Sequence, residues 1–192
     1  MRLILASQSP RRRELLHTIG LSFEVQPADV DESWVAGEDP VAYVERVARS
    51  KAVAVAAVAP RDACVLAADT TVDRDGEILA KPADDAEAAR MLRSLSGRTH
   101  LVHTAVVGCA RDQVHTETVT TTVTFAALAD AEIDWYLSIG EHLDKAGAYG
   151  LQTAGGALVE RIDGSPTSVI GLPLVETTRL LRACGIPVGG GV

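Results

Sequence analysis

The stretch Leu3-Ile4-Leu5-Ala6-Ser7-Gln8-Ser9-Pro10-Arg11-Arg12-Arg13-Glu14-Leu15-Leu16 decides how the chain is to be read. Its first four residues are an apolar run of buried-strand type. Leu15, Leu16 and Ile19 then recur at spacings of three and four, as on one face of a short helix. Ser9 is a good N-cap, Pro10 a good first helical residue, and Gly20 supplies the stop. Two serines and an arginine triplet therefore stand where a strand hands over to a helix N-terminus. The unpaired amides, the helix dipole and the hydroxyls there all favour an anion. Arginine adds planar, permanently charged donors suited to phosphate oxygens. The stretch predicts a phosphate-binding turn. The same features also occur where basic residues merely solvate a helix face. No Gly-x-x-x-x-Gly-Lys-Ser/Thr or Gly-x-Gly-x-x-Gly pattern makes this an ordinary P-loop or a Rossmann fingerprint.

Moving outward, 192 residues suffice for one substantial core with room for two lobes. Hydrophobic residues make up 47% and charged residues 23%, an ordinary globular balance. A net charge of −8 and only 4% aromatic residues argue against a general nucleic-acid or membrane-surface binder. Polyanions would be repelled except at a local basic patch, and single-strand readers need stacking platforms. Cys64, Cys109 and Cys184 are far apart and show neither a zinc spacing nor a disulfide framework. With no cleavable signal pattern and no apolar run near the ~20 residues that span a bilayer, the expectation is a cytoplasmic protein.

After Gly20, the alternation of Leu21, Phe23 and Val25 suggests a second strand. The acidic loop Asp29-Val30-Asp31-Glu32-Ser33 serves either surface solvation or metal coordination, since Mg²⁺ prefers carboxylate oxygens. Asp39-Pro40 starts a long helix that Pro60 ends, with Val44, Val47, Ala48 and Val55 as its apolar stripe. Lys51 falls on that stripe. A lysine so placed either runs its stem out to solvent, the commoner outcome, or ends in a cleft that needs positive charge. The run Cys64-Val65-Leu66-Ala67-Ala68 suits a central strand and is expected to end at Asp69-Thr70-Thr71. A carboxylate at a strand exit either faces a cleft or caps the next turn. Asp75-Gly76 between apolar flanks signals a hairpin, whose second arm leads to Lys81-Pro82.

Asp84-Asp85-Ala86-Glu87 opens a helix with a capping-box pattern, and Gly97 stops it. Segments around 99–108 and 116–125 read as a Val- and Thr-rich hairpin with one wet side. His100, His103 and His115 give no metal spacing. Asp130 begins a helix that Gly140 closes, and residues 144–152 form a loop of small residues. A strand at 156–162 and a last helix from about 174 to 184 follow, the latter with Leu174, Thr178 and Leu181 in register. The domain is expected to cover 1–188, leaving 189–192 as a flexible tail.

Seven blocks, in order, resemble one family. They are the opening stretch from Ala6 to Leu16, Asp31-Glu32, Lys51-Ala52, Ala68-Asp69-Thr70, Lys81-Pro82, Lys145-Ala146-Gly147-Ala148-Tyr149-Gly150 with Gln152, and Gly171-Leu172-Pro173-Leu174. Together they are similar to the Maf, or septum-formation-inhibitor, proteins over residues 3 to about 182. The resemblance implies an α/β fold of inosine-triphosphatase type: an elongated mixed β-sheet with flanking helices and two lobes around a central cleft, usually a homodimer. It implies a nucleoside triphosphate pyrophosphatase that releases a monophosphate and pyrophosphate with a divalent metal, Mg or Mn. Arg12, Thr70 and Gln152 resemble the branch acting on dTTP and UTP. Ala80 and Ser165-Pro166-Thr167-Ser168 depart from the family pattern in loops.

The chemistry that such a reaction needs maps onto these residues. Cleavage at the α-phosphorus requires a positioned water, a base and cations over the triphosphate. Asp69 is the candidate base, and Glu32 with Asp69 the candidate metal ligands. Ser7, Arg12, Lys51 and Lys81 would bind phosphate oxygens, and Thr70 and Gln152 would address base edges. The alternative is a nucleotide-binding regulator of cell division with incidental hydrolysis. The intact set of Asp69, Glu32, Lys51 and Lys81 argues for turnover, since binding alone requires no base.

Overall fold

The computed structural model describes residues 1–111 and 113–189. Residues 190–192, to which the expected tail extends, lie outside the described residues. In chain order the elements are β1 (Arg2–Leu5), α1 (Pro10–Thr18), β2 (Glu24–Val25), α2 (Pro40–Ala56), β3 (Ala63–Arg74), β4 (Glu77–Leu79), α3 (Asp85–Leu95), β5 (Thr99–Ala110), β6 (Gln113–Phe125), α4 (Asp130–Ile139), β7 (Val159–Asp163), α5 (Pro166–Ile170) and α6 (Leu174–Ala183). Among the described residues they build a seven-stranded mixed sheet of order β2-β1-β3-β5-β6-β7, with β4 paired to β3. β1 runs parallel to both β2 and β3, which is why its neighbours are reached through α1 and α2. β4 on β3 and β7 on β6 are antiparallel. No helix among the described residues is long and apolar enough to cross a membrane.

The described residues fall into two compact units. The first draws on Met1–Asp69 and on the described residues of 104–119 and 171–189, the second on Thr70–His103 and Thr120–Ile170. In the first, α2 lays Val44, Ala48, Ala52 and Val55 on Ile4, Ala6, Val65, Ala67, Ala105 and Val107. Removing each such valine from water contributes roughly 1.5–3 kcal/mol. Asp39 starts α2 by accepting the amides of Val41 and Ala42 at 2.9 and 3.1 Å, and Pro40 fills the first helical position. α6 packs against β5, where Gly108 leaves room for Leu180 and Cys184. In the second unit, Leu92 and Leu95 of α3, Ile133 and Tyr136 of α4, and Val123 and Phe125 of β6 share one core with Tyr149 and Leu158. Phe125 and Tyr149 meet edge to face at 4.8 Å.

Several local expectations are corrected. β3 does not end at Asp69 but continues to Arg74, because Thr70, Thr71 and Val72 are β-branched and favour the extended chain. The second strand shrinks to two residues, with Val25 exposed. α2 stops at Ala56, four residues short of Pro60. The short α5 was not foreseen, although Pro166 is a good helix starter. α6 turns Thr177, Leu180 and Leu181 inward rather than Thr178, whose hydroxyl donates to the carbonyl of Val175 at 2.8 Å. Asp75 (φ 56°) and Gly76 (φ 86°) form the two-residue turn between β3 and β4, as the Asp-Gly signal predicted.

Candidate active site

The strand-to-helix turn at residues 6–12 is built as its sequence predicts. Ser9 caps α1, its hydroxyl accepting the Arg12 amide at 3.4 Å. Ser7 is buried, and its hydroxyl accepts the Ser9 amide at 3.2 Å and Arg12 Nη1 at 3.3 Å. Arg12 Nε donates to the Gly171 carbonyl at 2.8 Å, 159 residues along the chain. The first turn of α1 carries arginines and no acidic residue. Cations at the positive end of a helix dipole are electrostatically misplaced by ~0.3–1 kcal/mol each when exposed. A bound anion reverses that sign. Burial lowers the Arg12 pKa from its ordinary value; Asp69 pulls it back up, Arg11 depresses it further, and Glu32 raises it.

The second cluster is centred on Lys51, which is 8% exposed on α2. Its ammonium donates to Glu32 Oε2 at 2.7 Å and to Asp69 Oδ1 at 2.8 Å. Lys51 therefore ends on carboxylates instead of running its stem out to solvent. Asp69 is 7% exposed, and its carboxyl is held above the ordinary aspartate value. Burial is the main cause, opposed by the charges of Lys51 and Arg12 and by the Lys51 hydrogen bond, while Glu32 adds to the rise. The mutual influence of Arg12 and Asp69 makes the two clusters one electrostatic neighbourhood. A carboxylate raised in this way is a better proton acceptor than an ordinary aspartate.

Glu32 and Asp69 offer hard oxygen donors, and the side chain of Glu32 is 50% exposed. Among the described residues, no group of three or more His, Cys, Asp or Glu is placed to cage an ion. Two carboxylates fit a cation of the magnesium type, which takes one or two protein carboxylates and completes its shell with water and substrate phosphates.

Thr70, Lys81 and Gln152 belong to the second unit. Thr70 follows Asp69 along β3 and is half-buried, whereas Lys81 and Gln152 are exposed. The Gly147 amide donates to the Ala80 carbonyl at 3.2 Å, tying the 146–148 turn to the residue before Lys81. Gly147 takes φ 66° there and packs on Val72, and Ala148 also has a positive φ of 63°. The buried Lys145 is used within this loop, its ammonium donating to the Glu141 carbonyl and the Asp144 carboxylate. Sequence reasoning missed the Gly171 carbonyl, because backbone acceptors leave no residue-type signal. It also missed Tyr43, whose hydroxyl donates to the Glu32 carbonyl at 2.9 Å. Tyr43 lies two helical turns before Lys51, a spacing that was available to find it.

The chain is thus an α/β protein whose mixed sheet carries an arginine-bearing turn and a buried Lys51–Asp69 pair. Residues 2–184 match the Maf-like protein family, and the chain belongs to it. The chain is 55% identical over 195 residues to a dTTP/UTP pyrophosphatase of Anaeromyxobacter dehalogenans, covering 97% of this chain and 96% of that one. It is 53% identical over 190 residues to a dTTP/UTP pyrophosphatase of Methylobacillus flagellatus, covering 98% and 96%. Among solved structures, the fold is similar to that of a HAM1 protein from Coxiella burnetii. That match has a TM-score of 0.52 at 17% identity and covers 95% of this chain and 99% of that one.

Proposed function

We propose that the chain is a nucleoside triphosphate pyrophosphatase that hydrolyses dTTP and UTP to the monophosphate and pyrophosphate. The observation that carries this reading is the buried Lys51 ammonium shared by Glu32 and Asp69, electrostatically coupled to Arg12. The names of the relatives at 53–55% identity support the reaction and the pyrimidine preference. Water attacks the α-phosphorus, the α–β anhydride bond breaks, and pyrophosphate departs with the bonding electrons. Asp69 accepts the proton of the water. Ser7, Arg12, Lys51 and Lys81 bind phosphate oxygens and stabilise the charge that grows on the leaving group. Thr70 and Gln152 hydrogen-bond the base. A site built to pair with a substrate edge rejects analogues that leave its own polar groups unpaired.

Glu32 and Asp69 would hold a divalent cation, Mg or Mn. Bound, it supplies Lewis-acid neutralisation of the phosphate charge. We take residues 1–188 as one functional domain, acting as a cytoplasmic homodimer. Buried thiols at Cys64, Cys109 and Cys184 accord with a reducing compartment. Pyrophosphate release is the test, measured with Mg²⁺ or Mn²⁺ on dTTP, UTP, CTP, GTP and 7-methylguanosine triphosphate. The expected kcat/KM ranking is led by dTTP and UTP. Leadership by either guanine nucleotide overturns the pyrimidine preference, and absence of pyrophosphate with every nucleotide overturns the reaction.

A further inference from the structure

Glu32 stands on a loop whose residues 31–37 are all exposed. Segments of that kind ordinarily fluctuate and hold a side chain poorly. Yet the Glu32 carboxylate reaches the Lys51 ammonium at 2.7 Å. What holds the loop is one face of α2. The Tyr43 hydroxyl donates to the Glu32 carbonyl at 2.9 Å. Arg46 Nη2 donates to the next carbonyl, that of Ser33, at 3.0 Å. The same guanidinium grips the far end of the loop as a fork, with Nε to Glu38 Oε1 at 2.6 Å and Nη2 to Glu38 Oε2 at 2.7 Å. It also lies over the Tyr43 ring, 5.6 Å from its centroid. Within the loop, Asp31 accepts the Ser33 amide at 2.9 Å, and Trp34 Nε1 donates to the Glu38 carbonyl at 3.1 Å.

Tyr43 and Arg46 are three residues apart on α2 and so neighbours on its surface. Consecutive carbonyls, those of Glu32 and Ser33, are thus fastened to the helix that carries Lys51. We infer that Tyr43 and Arg46 are positioning residues that set Glu32 for the reaction, acting through the backbone of the acidic loop. The inference rests on the proposed reading in which Glu32 is a working carboxylate. Tyr43 is suited to the task because its phenol hydroxyl is a donor that carries no charge. Losing the hydroxyl removes no charge from the site and leaves the ring under Arg46. What changes is the hold on Glu32.

A double-mutant cycle on the full chain tests this with Tyr43→Phe, Glu32→Gln and both together. The readouts are kcat/KM for dTTP and the binding of Mn²⁺ to nucleotide-free protein, followed by the electron paramagnetic resonance of free Mn²⁺. Tyr43→Phe is expected to lower kcat/KM about tenfold, equivalent to about 1.4 kcal/mol, with kcat falling more than KM rises. Mn²⁺ binding is expected to weaken by a similar factor. In the Glu32→Gln background, the same change is expected to alter neither quantity beyond about twofold, since a residue that acts through another loses its effect when that other is gone. Arg46→Lys, which keeps the charge and loses the fork, is expected to follow the same pattern. Equal losses from Tyr43→Phe in both backgrounds overturn the inference, because they describe a general structural role. So does wild-type behaviour of Tyr43→Phe beside an inactive Glu32→Gln, a result that leaves the site reading standing. Full turnover by Glu32→Gln instead removes Glu32 from the site, and the inference falls with it.

Discussion

Replacing Lys51 with Met removes one charge and keeps most of the buried stem. The two ion pairs that are lost have very different weights. Glu32 is half in water, and a pair screened in that way is worth about 0–1 kcal/mol. Asp69 is 9% exposed at its side chain, and removing one partner of a buried pair costs about 3–5 kcal/mol. Arg12 remains as a second cation near Asp69, which puts the expected loss near the lower end, about 3 kcal/mol. Protonation of Asp69 relieves the penalty, so the loss depends on pH. The folded-state pKa of Asp69 already lies above its ordinary value of 3.8. A group raised in this way favours the fold fully below its unfolded pKa, and that contribution is lost as pH rises through the folded pKa. Removing Lys51 takes away the largest influence holding that pKa down, so the variant should be more destabilised at pH 8 than at pH 5. Urea unfolding of wild type and Lys51→Met at both pH values reads this directly. Activity should fall roughly 10²–10³-fold, the usual cost of one electrostatic stabiliser. Unchanged kinetics with only a shifted melting point would show that the charge of Lys51 has no part in turnover. A stability loss independent of pH would show that Asp69 is not left uncompensated.

Asp69→Asn should lower kcat about 10²–10⁴-fold while circular dichroism stays near wild type and the melting point falls, because the amide keeps the shape but leaves the buried Lys51 ammonium with Glu32 as its remaining charged partner. Near-normal turnover would remove Asp69 from the mechanism. Gly108→Ala would bring a methyl within 2.4 Å of Leu180 Cδ2 and 2.8 Å of Cys184 Sγ, so denaturant unfolding should show a loss of about 1–3 kcal/mol with KM unchanged. His100 is buried with its pKa pushed down to about 4 from 6.5 by burial. Its neutral form favours the fold above pH 6.5, and that contribution, about 3 kcal/mol, is lost as pH falls through about 4. Urea midpoints across that range should fall less steeply in His100→Phe, and an unchanged slope would refute the assignment.

What the sequence determined by itself is the set of features whose causes lie within a few residues. Ser9-Pro10, Asp39-Pro40 and Asp84 start helices because a side-chain oxygen reaches an amide two or three residues on. Asp75-Gly76 closes a hairpin, and Gly140 ends α4 in the left-handed region, because local sterics decide both. The inward position of Lys51 was legible for the same reason, since it follows from helical period. The resemblance to Maf proteins added residue roles that spacing alone could not supply. Tertiary structure decided the rest. Nothing local distinguishes Glu32 from Asp29 or Asp31; only the fold sets Glu32 on Lys51. Asp69 reads as a strand exit because the apolar run of residues 64–68 ends there. The β-branched residues that follow favour extension, but the carboxylate can stay inside the sheet only because Lys51, 18 residues earlier, supplies the opposite charge. Arg12 takes its direction from the Gly171 carbonyl, 159 residues away, and the inward face of α6 follows from the space above Gly108. These outcomes depend on which groups meet when distant segments pack, and such pairings are written in no single stretch of the chain.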